Sequence, residues 1–172
     1  MSSKEGSSRA GQHQCVPVDT WLYRRTCAQF TTGITVVTVL DNLGRPHGMT
    51  VNSFSSVSLD PPLVLVSIDL RNAILGHFLT SPHFAVNVLA EDQEGMSRRF
   101  SSTSENRFHG VGWHPAASGV PLLEGALAHL ECAVTKVLEV GDHSVLIGVV
   151  ERAEYTAGKP LLFFDSSYRQ VG

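Results

Sequence analysis

Gly48 to Asp60 reads GMTVNSFSSVSLD, the densest run of small and hydroxyl-bearing residues in the chain. Set in a strand and the loop after it, such a run can offer backbone N–H groups together with the side chains of Thr50, Asn52, Ser53 and Ser55 to a flat ligand with polar edges. The same composition also suits a Ser-rich edge strand with a solvated face. A second candidate is Ser97-Arg98-Arg99-Phe100, at the end of a helical pattern. Adjacent arginines leave a helix on different sides, so one can be solvated while the other takes a phosphate in a bidentate fork. Equally, both can complement the carbonyl end of the helix dipole. The third is Gly141-Asp142-His143, a hairpin turn that puts an imidazole at the first position of a strand. At the rim of a barrel a neutral imidazole there binds an amide or relays a proton, and the plainer alternative is an exposed turn histidine.

Other chemistries lack their residues. The nearest approach to a dinucleotide fingerprint, Gly110-Val111-Gly112-Trp113-His114-Pro115, ends in proline and does not join a strand to a helix. There is no P-loop and no nucleophile elbow of the GxSxG type. Of the eight histidines, His109 and His114 are five apart in a glycine-rich loop with no HExxH frame, so no metal site is expected.

These candidates need a scaffold, and the pattern of the chain supplies one. Asp19 or Thr20 can cap a short helix that ends at Thr31-Thr32-Gly33. Ile34 to Leu40 is β-branched and reads as a strand, and turn residues Asp41 to Gly44 lead to a second strand over His47 to Val57. Pro61-Pro62 interrupts the ladder, and Leu63 to Ile68 resumes as a strand buried on both faces. A helix over Arg71 to Thr80, a strand over Phe84 to Leu89 and a helix over Asp92 to Phe100 follow, then a loop from Ser101 to Pro121. Ala126 to Val140 alternates at period two, with Leu130 and Cys132 on one face and His129 and Glu131 on the other, as a long half-buried strand. Val145 to Ala153 returns beside it, and Leu161 to Phe164 is a last short strand. Six or seven strands joined by hairpins favour a mainly β fold with short helices, a closed or partly closed antiparallel barrel, over a doubly wound sheet.

Composition bounds the rest. The chain has 172 residues, 42% hydrophobic and 17% charged, which suits one folded domain. Residues 1–17 are polar and read as a solvated tail, leaving 18–172 as the domain. A net charge of −3 gives no electrostatic footprint for nucleic acid. No apolar run is long enough to span a membrane or to act as a secretory core. Three widely spaced cysteines, Cys15, Cys27 and Cys132, form no disulfide framework and fit the reducing cytoplasm.

Taken in order, FTTGITVVT from Phe30, GMTVNSFSSVSLDPPLVL from Gly48, FAVNVLAEDQEGMSRRF from Phe84, RFHGVGW from Arg107, Gly141-Asp142-His143 and PLLFFDSSY from Pro160 resemble the flavin reductase-like family, the short reductase components of two-component flavin-dependent monooxygenases. The resemblance spans about four fifths of the chain. It implies a split β-barrel of the FMN-binding type, assembled as a homodimer with flavin near the subunit interface. It also implies that Thr50, Val51, Asn52 and Ser53 line the isoalloxazine ring, with Ser55 nearby. Ser67, Ile68 and Asp69 would follow to the ribityl chain, and Arg99 with Phe100 would contact phosphate or ring. His143 would face the nicotinamide as the catalytic-site histidine, with Tyr168 near the same cleft. The family's hydroxyl–base–hydroxyl run for the flavin phosphate is replaced here by Asn72-Ala73-Ile74, of which Asn72 keeps a donor, with Arg71 beside it. The implied activity is hydride transfer from NADH or NADPH to FMN or FAD, with reduced flavin passing to a separate monooxygenase. The alternatives on the same fold are a non-catalytic flavin carrier or storage module, and a dimeric interaction module without flavin.

Overall fold

The computed structural model describes residues 16–104 and 106–171, so of the tail expected over 1–17 only Val16 and Pro17 are described, both exposed. The chain runs α1 (Thr20–Cys27), β1 (Thr32–Gly33), β2 (Thr35–Leu40), β3 (Pro46–Val51), β4 (Ser55–Leu59), β5 (Pro62–Asp69), α2 (Leu75–Thr80), β6 (His83–Val88), α3 (Glu94–Ser101), β7 (Trp113–Pro115), β8 (Pro121–Leu123), β9 (Ala128–Val140), β10 (His143–Tyr155), β11 (Leu162–Phe164) and β12 (Ser167–Arg169). Seven strands form one antiparallel sheet in the order β3-β2-β6-β9-β10-β5-β4. A small sheet β1-β11-β12 and the hairpin β7-β8 complete the β structure. No helix among the described residues is long and apolar enough to cross a membrane.

The large sheet curls. Val37 and Val39 of β2 share one buried cluster with Val64, Val66 and Ile68 of β5, four strands away along the ladder. In a flat sheet those strands would be about 19 Å apart, too far for one hydrophobic core. α2 plugs this core with Leu75 and Phe78. A second cluster on the other side of β2 joins Ile34 and Val36 to Leu89, Phe100, Leu123 and Leu161, so β2 is buried on both faces.

The two edges of the sheet, β3 and β4, are not paired with each other, so the sheet stays open along the seam between them. This corrects one expectation, a single strand over His47 to Val57; of the closed or partly closed barrel expected, the closed form is not what the sheet makes. β3 belongs to one edge of the sheet and β4 to the other, and the chain crosses the seam at Asn52-Ser53-Phe54. β5 begins at Pro62, opposite Leu59 in a tight hairpin, and buries Val64, Val66 and Ile68 while its other face is half-covered.

Further departures have local causes. The helix expected from Arg71 starts only at Leu75, because the Asp69 and Asn72 side chains accept from the N–H groups of Arg71 and Ile74 and hold two turns instead. α1 ends at Cys27, and Thr32-Gly33 pairs with Leu162 and Phe163. The loop expected over Ser101 to Pro121 contains β7, paired to β8. That hairpin covers the polar face of β9, so His129 and Glu131 are buried in the first half of the strand while its last residues are exposed on both faces. An unforeseen last hairpin, β11-β12, turns at Asp165-Ser166, both at positive φ of 46° and 58°, the backbone twist a two-residue loop demands.

Asn87 ties the layers together. Wholly buried in β6, its amide donates to the Val36 carbonyl (2.9 Å) and the Thr38 hydroxyl (3.2 Å), and its oxygen accepts the Leu123 N–H (2.8 Å). Asn87→Ala leaves the buried Leu123 N–H without its acceptor and removes both amide donations, though the Thr38 hydroxyl keeps the Pro121 carbonyl, and urea denaturation is expected to show a loss of about 1–3 kcal/mol, with an unchanged denaturant slope.

Candidate active site

Gly48 sets the geometry of the site. A Cβ there would lie 3.0 Å from the Phe100 ring and from the Val37 carbonyl oxygen, so the absence of a side chain lets α3 lie against β3. One helix turn away the Thr50 hydroxyl donates to the Ser97 carbonyl (2.7 Å), and the buried Ser97 hydroxyl meets the Tyr168 hydroxyl (2.9 Å). The Arg98 guanidinium lies 4.8 Å over the Tyr168 ring and pairs with Glu94 at 2.7 Å. Between these groups is a cleft of about 590 Å³, lined by Ile34, Thr50, Asn52, Arg98, Phe163 and Tyr168 among others.

A second cavity of about 740 Å³ is walled by His47, Gly48, Ile74, Arg107, Phe108 and Trp113 among others. Arg107 donates to the Gly48 carbonyl (2.9 Å), and its Nε is buried with no partner among the described residues. Burial pulls its pKa below the usual guanidinium value. Arg99 lines an adjoining pocket with Arg107 and donates to the His109 carbonyl. The two adjacent arginines thus face different clefts, as their helical spacing requires.

Along the seam the Ser53 hydroxyl donates to the Ser67 carbonyl (2.9 Å) and accepts the Ser67 N–H (3.0 Å), replacing ladder bonds where the chain changes edge. At the end of β5, Arg71 grips Asp69 and holds its carboxyl well below the usual range. His143 stands opposite Asp69 in the ladder, its Nδ1 2.6 Å from Asp142, whose pKa that hydrogen bond lowers.

Of the residues singled out in the sequence, Thr50, Asn52 and Tyr168 come together in the first cleft. Ser53 and Ser67 meet at the seam, and Asp69 and His143 share the rim of β5 and β10. His143 does not line the cleft that holds Tyr168. Asn72 is occupied in capping Ile74, beside Ala73 and Ile74 that line the second cavity. Ser55 is exposed on the edge strand β4, its hydroxyl on the Ser56 carbonyl. Val51, Ile68 and Phe100 are buried in the two cores, so the first two have only backbone to offer a ligand, and Phe100 supports Gly48 from beneath. Sequence reasoning missed Ser97 as the link to Tyr168, and Arg107. The RF pair at 107–108 was a visible signal, but nothing local shows that Arg107 folds back onto β3.

The family model described as "Flavin reductase like domain" matches residues 27–172. The chain is 39% identical over 170 residues to the FMN reductase (NADH) SmoA of Agrobacterium fabrum, covering 98% of this chain and 97% of that protein. It is 42% identical over 161 residues to an NADH-dependent FAD reductase of Streptomyces globisporus, covering 90% and 87%. Among solved structures, the Streptomyces globisporus NADH:FAD oxidoreductase SgcE6 in complex with NAD and FAD fragments superposes with a TM-score of 0.85 at 41% identity, over 90% of this chain and 93% of that one. With these likenesses spread across the whole sheet and both clefts, the chain belongs to the flavin reductase-like domain family.

Proposed function

We propose that residues 18–172 form one flavin reductase domain that transfers hydride from NADH to FMN or FAD and supplies reduced flavin to a separate monooxygenase. The observation that carries this is full-length similarity to proteins named as NADH-dependent FMN and FAD reductases. A relative at 40% identity over 157 residues, the HsaB reductase subunit of a flavin-dependent monooxygenase from Mycobacterium tuberculosis, supports the partner.

The residues fit a flavin. α3 lines one cleft of about 590 Å³, and a second of about 740 Å³, walled by Phe108 and Trp113, holds the Arg107 Nε with no partner among the described residues; both are in the size range of cofactor sites. When bound, the flavin supplies a ring that accepts hydride at N5 from the nicotinamide C4. The protein's task is to hold two rings in contact and keep water out. Thr50, Asn52 and the backbone of Val51 and Ser53 would present the polar edge of the seam crossing to the ring, with Ser55 at its outer end. Because the Ser53 hydroxyl is committed to Ser67, the N–H groups of the crossing are what remain to stabilise negative charge on the ring edge. The backbone of Ser67 and Ile68, with Asp69, would follow the ribityl chain. Arg99, Arg107 and Asn72 would serve the phosphate, and Phe100 acts through Gly48. His143 directs Nδ1 to Asp142, which leaves Nε2 for the nicotinamide carboxamide, a positioning contact. Tyr168, with Arg98 across its ring, would close the far side of the cleft.

The curled sheet with an unpaired seam supports a split β-barrel. A homodimer is supported by large apolar side chains left exposed, Trp21 at 69%, Phe30 at 77% and Leu59 at 95%. A cytoplasmic location agrees with the free thiols of Cys27 and Cys132.

NADH oxidation followed at 340 nm is expected to saturate with added FMN or FAD. Tight flavin binding without turnover would instead identify a carrier or storage module. His143→Ala, which removes one hydrogen bond, is expected to raise KM for NADH roughly tenfold with a smaller change in kcat. Sedimentation equilibrium is expected to give twice the chain mass, and Trp21→Glu to shift it toward the monomer.

A further inference from the structure

We propose that Asp41, His47 and His77 form a binding site for a divalent transition-metal ion of the zinc type, pinning the β2–β3 hairpin to α2 across the mouth of the curled sheet. The three donor atoms lie within 4.8 Å of one another. Asp41 Oδ2 and His47 Nε2 are 3.2 Å apart. That contact is a hydrogen bond in the absence of an ion, and it is also close to the roughly 3.3 Å between neighbouring ligands that each sit ~2.0–2.1 Å from a tetrahedral ion. His77 stacks on His47 with ring centroids 4.0 Å apart and an interplanar angle of 23°, and has to approach by about 1.5 Å at most to complete the set.

The surroundings favour a cation. Asp41 has only 4% of its side chain exposed, and its carboxylate oxygens face Arg45, His47 and the turn N–H groups. The Asp41 Oδ1 is committed to the turn, accepting the N–H groups of Leu43 and Arg45 at 2.9 Å each. Oδ2 is held by Arg45 Nε at 2.7 Å, but the Arg45 side chain is 66% exposed and can turn into water when a divalent ion takes its place on the buried carboxylate. Both histidines also line the 740 Å³ cavity, which provides an entry path and room for water at a fourth position. A two-histidine, one-carboxylate set of this kind suits Zn²⁺ or Co²⁺.

Co²⁺ titration of the purified, flavin-free protein tests this. The expected result is visible ligand-field absorption saturating at one ion per chain, displacement by Zn²⁺, and a thermal midpoint that rises with Zn²⁺ concentration. His47→Gln and His77→Gln should each weaken binding by at least about tenfold. Asp41→Asn, which keeps an oxygen for the turn, should do the same, whereas His83→Gln on β6 should not. Arg45→Ala should tighten binding about two- to fivefold, because it frees Oδ2. Absence of one-to-one binding, or binding that survives His77→Gln unchanged, would overturn the proposal. A neutral effect of Arg45→Ala would remove Asp41 as a ligand and overturn it equally.

Discussion

The structure depends on a single constraint, a seven-stranded sheet that must curl around one core while its edge strands stay unpaired. Val37 and Val39 on β2 and Val64, Val66 and Ile68 on β5 can share a cluster only if the sheet bends. The consecutive strands β3 and β4 then lie at opposite ends of the ladder. The crossing at Asn52 to Phe54 is therefore forced by topology, and it cannot be regular strand. Ser53 restores two of the lost hydrogen bonds through its hydroxyl, and the rest of the backbone there remains available to a ligand. The flavin site proposed above lies where the ladder has to fail, because there a β fold leaves backbone donors unspent.

The second layer follows from a missing side chain. With hydrogen at Gly48, α3 rests directly on β3, and its register sets Arg98 over Tyr168 on one flank and Arg99 near Arg107 on the other. The helix thus stands between the cleft of Arg98 and Tyr168 and the pocket shared by Arg99 and Arg107. Polar groups buried on the far side of the sheet serve a different purpose. His129 bonds the Leu123 carbonyl (2.8 Å) and Glu154 (2.9 Å), Glu131 accepts the Ser118 N–H, and Asn87 accepts from Leu123. Together they hold the β7-β8 hairpin against β9, which seals the second core behind α3.

Much of this was legible along the chain, and for a reason. β-Branched runs such as Ile34 to Leu40, the turn residues at Asp41 to Gly44 and Gly141-Asp142, and the proline pair at 61–62 act over a few residues, so strands and turns could be read locally. The ordered motifs also named the family; they set Thr50 and Asn52 at the flavin ring and Tyr168 with His143 at the nicotinamide, whereas the structure gathers Thr50, Asn52 and Tyr168 in one cleft that His143 does not line. What local pattern could not reveal was where strands end when their partners differ. His47 to Val57 is one β-prone run, and only the assignment of its halves to opposite edges breaks it. The period-two pattern of β9 likewise looked half-solvated, because nothing nearby announces the hairpin that buries His129 and Glu131.

The sequence by itself determined the β class, the family and the residue types of the site, since these rest on composition, period and motif order. Tertiary structure alone decided which of those residues meet. His77 joins His47 and Asp41 from thirty residues away, Ser97 reaches Tyr168, and Arg107 folds back onto Gly48. Val51, Ile68 and Phe100, though adjacent to site residues, turn into the cores. The physical reason is that a side chain's direction is set by the period of its element, but its neighbours are set by how the sheet closes on its core, a long-range packing outcome that no local window of residues encodes.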